Sequence, residues 1–199
     1  MGNKGSVLLL VCWSGRQGVR RYPAQKMGGR AMVGPVVIVP YDADWVLMFE
    51  RIRDFVSPAL GGITRTIEHV GSTSVPGLAA KPIIDIDVVV ATAGDVPLAI
   101  QLLASLGYQH QGDLGIAGRE AFIAPQGLPP HHLYVCSDAS PALRKHLLFR
   151  NYLRMHSAEA KAYAQLKMAL AQRYVNDRES YTEGKTEFIN ARLNLAGWE

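Results

Sequence analysis

The chain has 199 residues, of which 48% are hydrophobic and 19% charged, the composition of an ordinary globular protein with one proper core. Its two cysteines, Cys12 and Cys136, are too few for a disulfide framework, which favours a reducing cytoplasm. The net charge of +4 arises from residues 1–34, which carry six Lys or Arg and no acid, so the remainder is slightly acidic. Overall charge therefore identifies no class of partner.

The first 34 residues differ from the rest of the chain. Lys4 precedes an apolar run at residues 7–13, in the order of a signal peptide, but the run is short and no small-x-small cleavage site follows. The run is also too short to cross a membrane. We expect residues 1–34 to be a disordered or a mis-started extension, with initiation at Met27 or Met32 in the second case. We also expect no membrane association and a cytoplasmic location.

In chain order, residues 36–39 predict a short strand that Pro40 ends. Asp42 or Asp44 is then expected to cap a helix with one apolar stripe, closed by glycines at 61 and 62. Two strands around residues 67–70 and 83–90 follow, separated by a loop rich in Gly, Ser and Pro. Asp95 is expected to cap a second helix, which Gly107 ends.

Further along, residues 120–124 and 133–136 predict two more strands, joined by a Pro/Gly-rich turn at 125–130. From Pro141 onward the apolar period is helical, with three predicted helices. We therefore predict an α/β (α+β) core at residues 35–140, a small mixed sheet with flanking helices. A helical C-terminal segment at 141–199 is expected to pack on this core.

The most informative stretch is the strand, loop and strand at residues 67–90. Asp85 and Asp87 are two apart in a strand, so they share a face with Cα atoms about 6.6 Å apart. Two such carboxylates can bracket Mg²⁺ ions that also bind phosphate oxygens. Upstream, Gly71 allows close backbone approach, and the amides and hydroxyls that follow it could hold a phosphate or merely cap the turn.

A structural interpretation of the two acids stays open. They could be the solvent end of a core strand, or pair with a buried arginine such as Arg119 or Arg150. If they instead form a metal site, their charges repel each other without the metal. We then expect either Asp→Asn change to leave the stability of the metal-free protein unchanged or to raise it.

The pattern Gly-Ser, twelve residues, Asp-apolar-Asp resembles the active-site signature of the DNA polymerase beta type nucleotidyltransferase superfamily. The longer run E-H-V-G-S-T-S-V-P-G-L-A-A-K-P-I-I-D-I-D resembles the GrpB family, a branch of that superfamily. The likeness extends from about residue 37 to about 196. It includes P-Y-D-A-D-W, H-H-L-Y-V, R-K-H-L-L-F-R-N-Y-L-R and Y-T-E-G-K-T-E-F-I.

The resemblance implies a nucleotidyltransferase-like fold and a metal-dependent nucleotidyltransferase. Such an enzyme would use Mg²⁺ or Mn²⁺ and a nucleoside triphosphate, and pass a nucleotidyl group to an unknown small molecule, RNA or protein. Asp85 and Asp87 would be catalytic and bind the metal, while nucleotide contacts would come from Gly71, Ser72, Thr73 and Ser74. The alternative is a catalytically weak nucleotide- or coenzyme A-binding or regulatory module, which keeps the nucleotide pocket but lacks turnover for want of a third acid. GrpB-like domains also occur fused to dephospho-CoA kinase, and this resemblance implies a coenzyme A or nucleotide ligand.

Active members of the superfamily usually present a third carboxylate from a neighbouring strand, which serves as general base. Glu120 is the acid that we expect in this role. His132 is a second candidate, as metal ligand or base, although a lone strand histidine is more often structural. The family often has a second histidine where Tyr134 stands, and commonly Asp where Asn151 stands.

Three cations complete the candidate site. Lys81 precedes Pro82, so its backbone is extended and its ammonium could contact a triphosphate. Arg150 lies near the apolar stripe of its helix, so we expect it to reach a carboxylate or a phosphate. Lys185 matches a family position and could close over a nucleotide. A plain surface role fits Lys81 and Lys185 equally well.

Overall fold

The computed structural model describes residues 34–198, so the expectations for residues 1–33 lie outside the described part. The helices are α1 Asp44–Leu60, α2 Val96–Ser105, α3 Pro141–Met155, α4 Ser157–Arg173, α5 Arg178–Glu183 and α6 Thr186–Leu195. The strands are β1 Thr64–Val70, β2 Ile84–Val90, β3 Gln109–His110, β4 Glu120–Ile123 and β5 His131–Ser137. Short 3₁₀ turns occupy Ser72–Ser74 and Ala93–Asp95.

The five strands form one mixed sheet in the order β1-β2-β5-β4-β3. The central strand β2 pairs antiparallel with β1 and parallel with β5. The remaining pairs, β5 with β4 and β4 with β3, are antiparallel. The predicted fold class, a small mixed sheet with flanking helices followed by a helical C-terminal segment, is confirmed.

The two faces of the sheet are covered by different helices. One face packs on α1 and α2 through a core that includes Val56, Leu103 and Val88. The other packs on α3, where Val89 contacts Leu143. Because side chains alternate along β2, the residues at 85 and 87 lie on the same face as Val89, beneath the C-terminal helices.

The C-terminal helices also enclose the loop between β1 and β2. Val75 and Leu78 of this loop pack in one cluster with Leu153 of α3 and Tyr163 of α4. The C-terminal segment contains four helices where the sequence predicted three. The additional helix is the short α5, which Asp177 caps by accepting from the Ser180 backbone N–H at 3.0 Å. Burial of loop residues by these helices fixes the loop against the sheet.

Two local predictions need correction. Residues 36–39 do not form a strand: only Val39 bridges to Ala80, while the Val36 N–H donates to Val175 O near the end of the chain. The carboxylate of Asp95 caps the 3₁₀ turn that precedes α2, accepting from Thr92, and does not cap α2 itself. Within residues 34–198, no helix combines the length and apolar character needed to span a membrane.

Candidate functional site

The two acids of β2 lie on one face of the sheet, toward α3. Asp85 and Asp87 stand beside His132 and Tyr134 of the parallel strand β5, respectively. The side chain of Asp85 is one-third exposed, whereas Asp87 is fully buried. A buried acid in an aliphatic strand is unfavourable without compensating partners, so the contacts of Asp87 determine what the site can do.

Each of the two carboxylates is held by a histidine. Nδ1 of His132 donates to Oδ1 of Asp85 at 2.9 Å, and Nδ1 of His146 on α3 donates to Oδ2 of Asp87 at 2.7 Å. The second oxygen of Asp87, Oδ1, is buried and has no hydrogen-bond partner. Such an orphaned buried oxygen is rare in folded proteins, and it leaves an acceptor free for a ligand.

The arrangement fits a hard divalent cation. Mg²⁺ is usually bound by one or two carboxylates, with water and substrate phosphates completing its octahedron. Asp85 and Asp87 would hold it with the oxygens that the histidines leave open, and the orphaned Oδ1 of Asp87 supports this assignment. Within the described residues, no group of three or more His, Cys, Asp and Glu is arranged to hold a metal alone.

The loop after β1 brings its backbone against Asp85. Gly71 has φ of 68° and ψ of −170°, a conformation that is essentially restricted to glycine. A Cβ at this position would clash with Oδ2 of Asp85. The loop can therefore approach the carboxylate of Asp85 this closely only because residue 71 is a glycine.

Replacing Gly71 with alanine is expected to destabilise the protein by about 1–3 kcal/mol from backbone strain alone, and further through the clash with Asp85. Gly77→Ala is the matched control, because Gly77 also has positive φ but has open space around its Cβ position. Urea unfolding of both variants separates the two effects. Equal losses of unfolding free energy would show that the approach of Gly71 to Asp85 does not matter.

Within the loop, the three hydroxyls have different environments. The Ser74 hydroxyl donates to Gly71 O at 2.6 Å, and Thr73 Oγ1 is 3.0 Å from Nε2 of His69, so both side chains hold the loop together. Arg154 of α3 donates two hydrogen bonds to Ser74 O. Ser72 differs, because its hydroxyl accepts from a lysine. Of the three hydroxyls, that of Ser72 is the one directed to a cationic partner.

That cation is Lys167 of α4, which sequence reasoning missed. Its Nζ donates to Ser72 Oγ at 2.9 Å and to Ala79 O at 2.5 Å, and only 3% of the residue is exposed. Burial, followed by the charge of Lys185, lowers the pKa of Lys167 to about 7. The sequence did contain a signal that Lys167 is buried, because its helical spacing continues the buried stripe of Ala160 and Tyr163.

The predicted Lys81 and Lys185 gather at the same place. Their amines lie 5.5 and 4.5 Å from the ring of Tyr181, and Asp85 acts on both electrostatically. Burial and the charge of Lys81 lower the pKa of Lys185 to about 8, and burial lowers the pKa of Lys81 as well. Together with Lys167 they form what we call the lysine cluster.

Arg150 is engaged by protein groups. Its Nη1 donates to Glu68 Oε2 at 2.7 Å and to His69 O at 2.9 Å, and its Nε donates to Asn151 Oδ1. We predicted either a carboxylate or a phosphate as its partner, and in the structure Arg150 binds a carboxylate, that of Glu68. Arg150 therefore ties α3 to β1 beside the site.

Glu68 is an acid of the neighbouring strand that we did not predict. It lies opposite Asp87 in the register of β1 and β2, on the same face. Burial would raise the pKa of Glu68, but hydrogen bonds from Arg150 and Thr66 outweigh burial and lower it. Glu68 is thus an ionised carboxylate held by a cation, and its position follows from the register that the sequence leaves unspecified.

Glu120 is not brought to Asp85 and Asp87. It lies opposite Val135, so it projects from the other face of the sheet, where its carboxylate is 2.6 Å from Nε2 of His110. The strand was predicted correctly, but the face was not. This corrects the expectation that Glu120 supplies the third carboxylate.

Comparisons with known proteins identify the family. The GrpB protein family model matches residues 35–194. UPF0157 protein YqkA of Bacillus subtilis is 36% identical over 165 residues, which are 82% of this chain and 48% of that protein. The chain thus spans about half the length of this relative. The crystal structure of conserved protein GrpB from Enterococcus faecalis is similar with 35% identity and a TM-score of 0.73, covering 80% of this chain and 96% of that one.

Two other proteins show weaker similarity to this chain. A dephospho-CoA kinase of Mycolicibacterium paratuberculosis is 25% identical over 190 residues, 83% of this chain and 46% of that protein. A Cid1 poly(U) polymerase structure with MgGTP bound is 16% identical with a TM-score of 0.49, covering 68% of this chain and 45% of that one, too little to show a shared activity. The family model and the identities to YqkA and the Enterococcus protein show that the chain belongs to the GrpB family.

Proposed function

We propose that the protein is a metal-dependent nucleotidyltransferase. The observation that carries this proposal is the lysine cluster: three ammonium groups gather at Ser72 and Asp85, and none of them forms an ion pair with a carboxylate of residues 34–198. Like charges disfavour one another, and burial adds to the cost. A ligand with several negative charges, such as a triphosphate, relieves both.

The Asp pair supplies the second half of the proposed site. A cation held by Asp85 and Asp87 would neutralise charge on the phosphates during transfer. Lys81, Lys167, Lys185 and Ser72 would bind the phosphates beyond the reacting one. In the reaction, an acceptor oxygen or nitrogen forms a bond to the α-phosphorus, the bond to the bridging oxygen breaks, and pyrophosphate leaves.

The acceptor also has to lose a proton, and in this proposal His132 takes it. Its Nδ1 donates to Asp85, and its side chain is 38% exposed, which leaves Nε2 open toward a substrate. A carboxylate that orients histidine in this way is the usual arrangement for a general base. Glu68 is less suitable because Arg150 already binds it.

Incubation with labelled nucleoside triphosphates, Mn²⁺ and cell extract is expected to transfer label to an acceptor, and Asp85→Ala is expected to abolish transfer. Glu120→Gln is the matched control, because its carboxylate lies on the other face of the sheet and transfer should persist. Stabilisation by Mn²⁺-ATP without transfer would favour the alternative, a nucleotide- or coenzyme A-binding module. Neither transfer nor stabilisation would refute both.

A further inference from the structure

Arg119, immediately before β4, is a buried cation that the proposed transfer does not use. Only 9% of the residue is exposed, and its guanidinium carbon lies 4.1 Å from the centre of the Tyr134 ring. Its Nε is buried without a hydrogen-bond partner. No carboxylate among residues 34–198 forms an ion pair with it. A buried guanidinium in this state is unusual.

The position of Arg119 relates it to the Asp pair. Because Glu120 lies on the face of the sheet opposite Asp87, Arg119, one residue earlier, lies on the same face as Asp87, where it stacks on Tyr134. Tyr134, on which Arg119 stacks, lies beside Asp87 in the pairing of β5 with β2. Extending the register by one residue places Arg119 opposite Cys136, so two strand spacings and a two-residue offset separate the Cα atoms of Arg119 and Asp87, roughly 12 Å in all.

The backbone that carries Arg119 is tied to the start of α3. The Ser140 hydroxyl donates to Gly118 O at 2.8 Å, and Gly118 has a φ of +76°. A Cβ at Gly118 would stand 3.3 Å from Ser140 Oγ, so the contact is close. The guanidinium is thus presented by a fixed backbone, which lowers the entropy cost of binding a ligand.

An unpaired buried charge is costly, and the cation–π contact with Tyr134 offsets only part of that cost. Arginine also offers a planar fork of donors that matches carboxylate and phosphate groups. Lys167 of the lysine cluster binds Ser72, and Asp85 acts on all three lysines, whereas Arg119 stacks on Tyr134, beside Asp87. The two cationic features therefore suit two different anionic groups.

We propose that Arg119 binds an oxyanion, a carboxylate or a phosphate, carried by the acceptor substrate. This rests on the proposed transferase function, in which the lysine cluster holds the triphosphate. The acceptor is then a small anionic molecule. Its nucleophilic oxygen or nitrogen lies between Arg119 and the Asp pair, on the face of the sheet that both share.

The Nε–H of Arg119 provides a direct test by ¹⁵N-edited NMR, with its signal assigned by its loss in Arg119→Lys. Inorganic phosphate and sodium acetate are titrated to about 10 mM, tenfold above a dissociation constant of about 1 mM. The protein is the full chain, as parent and as Lys167→Met, which removes a phosphate-binding amine from the lysine cluster. The matched control is Arg173, an exposed arginine that lies 5.2 Å from the ring of Tyr174.

We expect a saturable shift of the Arg119 signal in both proteins, and none for Arg173. Saturation by phosphate alone assigns a phosphate-bearing acceptor, and saturation by acetate alone a carboxylate-bearing one. An unmoved Arg119 signal, or a shift that disappears in Lys167→Met, overturns the proposal. A shift without any stabilisation by Mn²⁺-ATP keeps the oxyanion site and refutes the transferase, so the two failures are distinguishable.

Discussion

Replacing Lys167 with methionine is expected to weaken the binding of Mn²⁺-ATP by about 10- to 100-fold, the equivalent of one charge-assisted hydrogen bond to a phosphate. The ligand-free protein should lose at most about 1 kcal/mol of unfolding free energy. Methionine removes a buried charge, a gain that offsets the hydrogen bonds lost at Ser72 and Ala79. Thermal melts with and without Mn²⁺-ATP measure both effects.

The stability of the ligand-free protein and its stabilisation by Mn²⁺-ATP are expected to change in opposite directions with pH. Because folding lowers the pKa of Lys167 to about 7, the unfolded chain binds more protons between pH 7 and the ordinary lysine pKa. The stability of the ligand-free parent should therefore rise from pH 7 to 9, with at most about 1.4 kcal/mol per pH unit from this group. Stabilisation by Mn²⁺-ATP should fall over the same range, because a neutral amine binds phosphate poorly.

Lys161→Met is the matched control, since Lys161 is an exposed lysine of the same helix. It should keep both the nucleotide affinity and the pH dependence of the parent. Lys167→Met should show a smaller rise of stability with pH, with the remainder coming from Lys185, whose pKa is about 8. Equal nucleotide affinities in the parent and in Lys167→Met would remove Lys167 from the phosphate site.

What the sequence predicts well is local periodicity. The alternation in β2 places Asp85 and Asp87 on one face, and the helical pattern after Pro141 predicts a helical C-terminal segment. Gly71 and the residues around it predict a loop with close backbone approach, although not that Asp85 is the group approached. Each of these follows from residues close together in the chain, where geometry is fixed by the backbone alone.

What the sequence does not fix is how separate elements meet. Neighbouring residues of a strand point to opposite faces of the sheet. An error of one residue in the predicted register therefore puts Glu120 on the face that Arg119 in fact occupies. The pairing of Glu120 with Val135 resolves that phase only once β4 and β5 are in register. His146 and Lys167 reach the site from helices, and neither distance along the chain nor composition reveals that contact.

The expectation that Asp85 and Asp87 simply repel each other also changes. Each carboxylate is hydrogen-bonded to its own histidine, and Asp85 in addition faces the lysine cluster. Burial would raise the pKa of Asp85, but the hydrogen bond and charge of His132, followed by the charge of Lys81, lower it overall. Ionised Asp85 thus stabilises the fold, a stabilisation present above the ordinary aspartate pKa and lost as the pH falls through the lowered pKa.

The two Asp→Asn variants are therefore expected to differ in their unfolding free energy. Asp85→Asn should lower the unfolding free energy of the ligand-free protein at neutral pH by about 1–2 kcal/mol, because it removes the negative charge that His132 binds and that the lysines face. Asp87→Asn should leave it unchanged or raise it, since a buried charge with one orphaned oxygen is removed and an amide oxygen can still accept from His146.

Both variants should lose the stabilisation that Mn²⁺ plus ATP gives the parent, which is about 2.7 kcal/mol at a hundredfold excess over the dissociation constant. Paired thermal melts at neutral pH, with and without Mn²⁺-ATP, measure all of these changes, and Glu120→Gln serves as the control for a carboxylate on the opposite face. If Asp87→Asn melts well below the parent without metal, Asp87 is a structural partner of His146. If both variants still respond to Mn²⁺-ATP, the nucleotide binds without these carboxylates and the metal site is wrong.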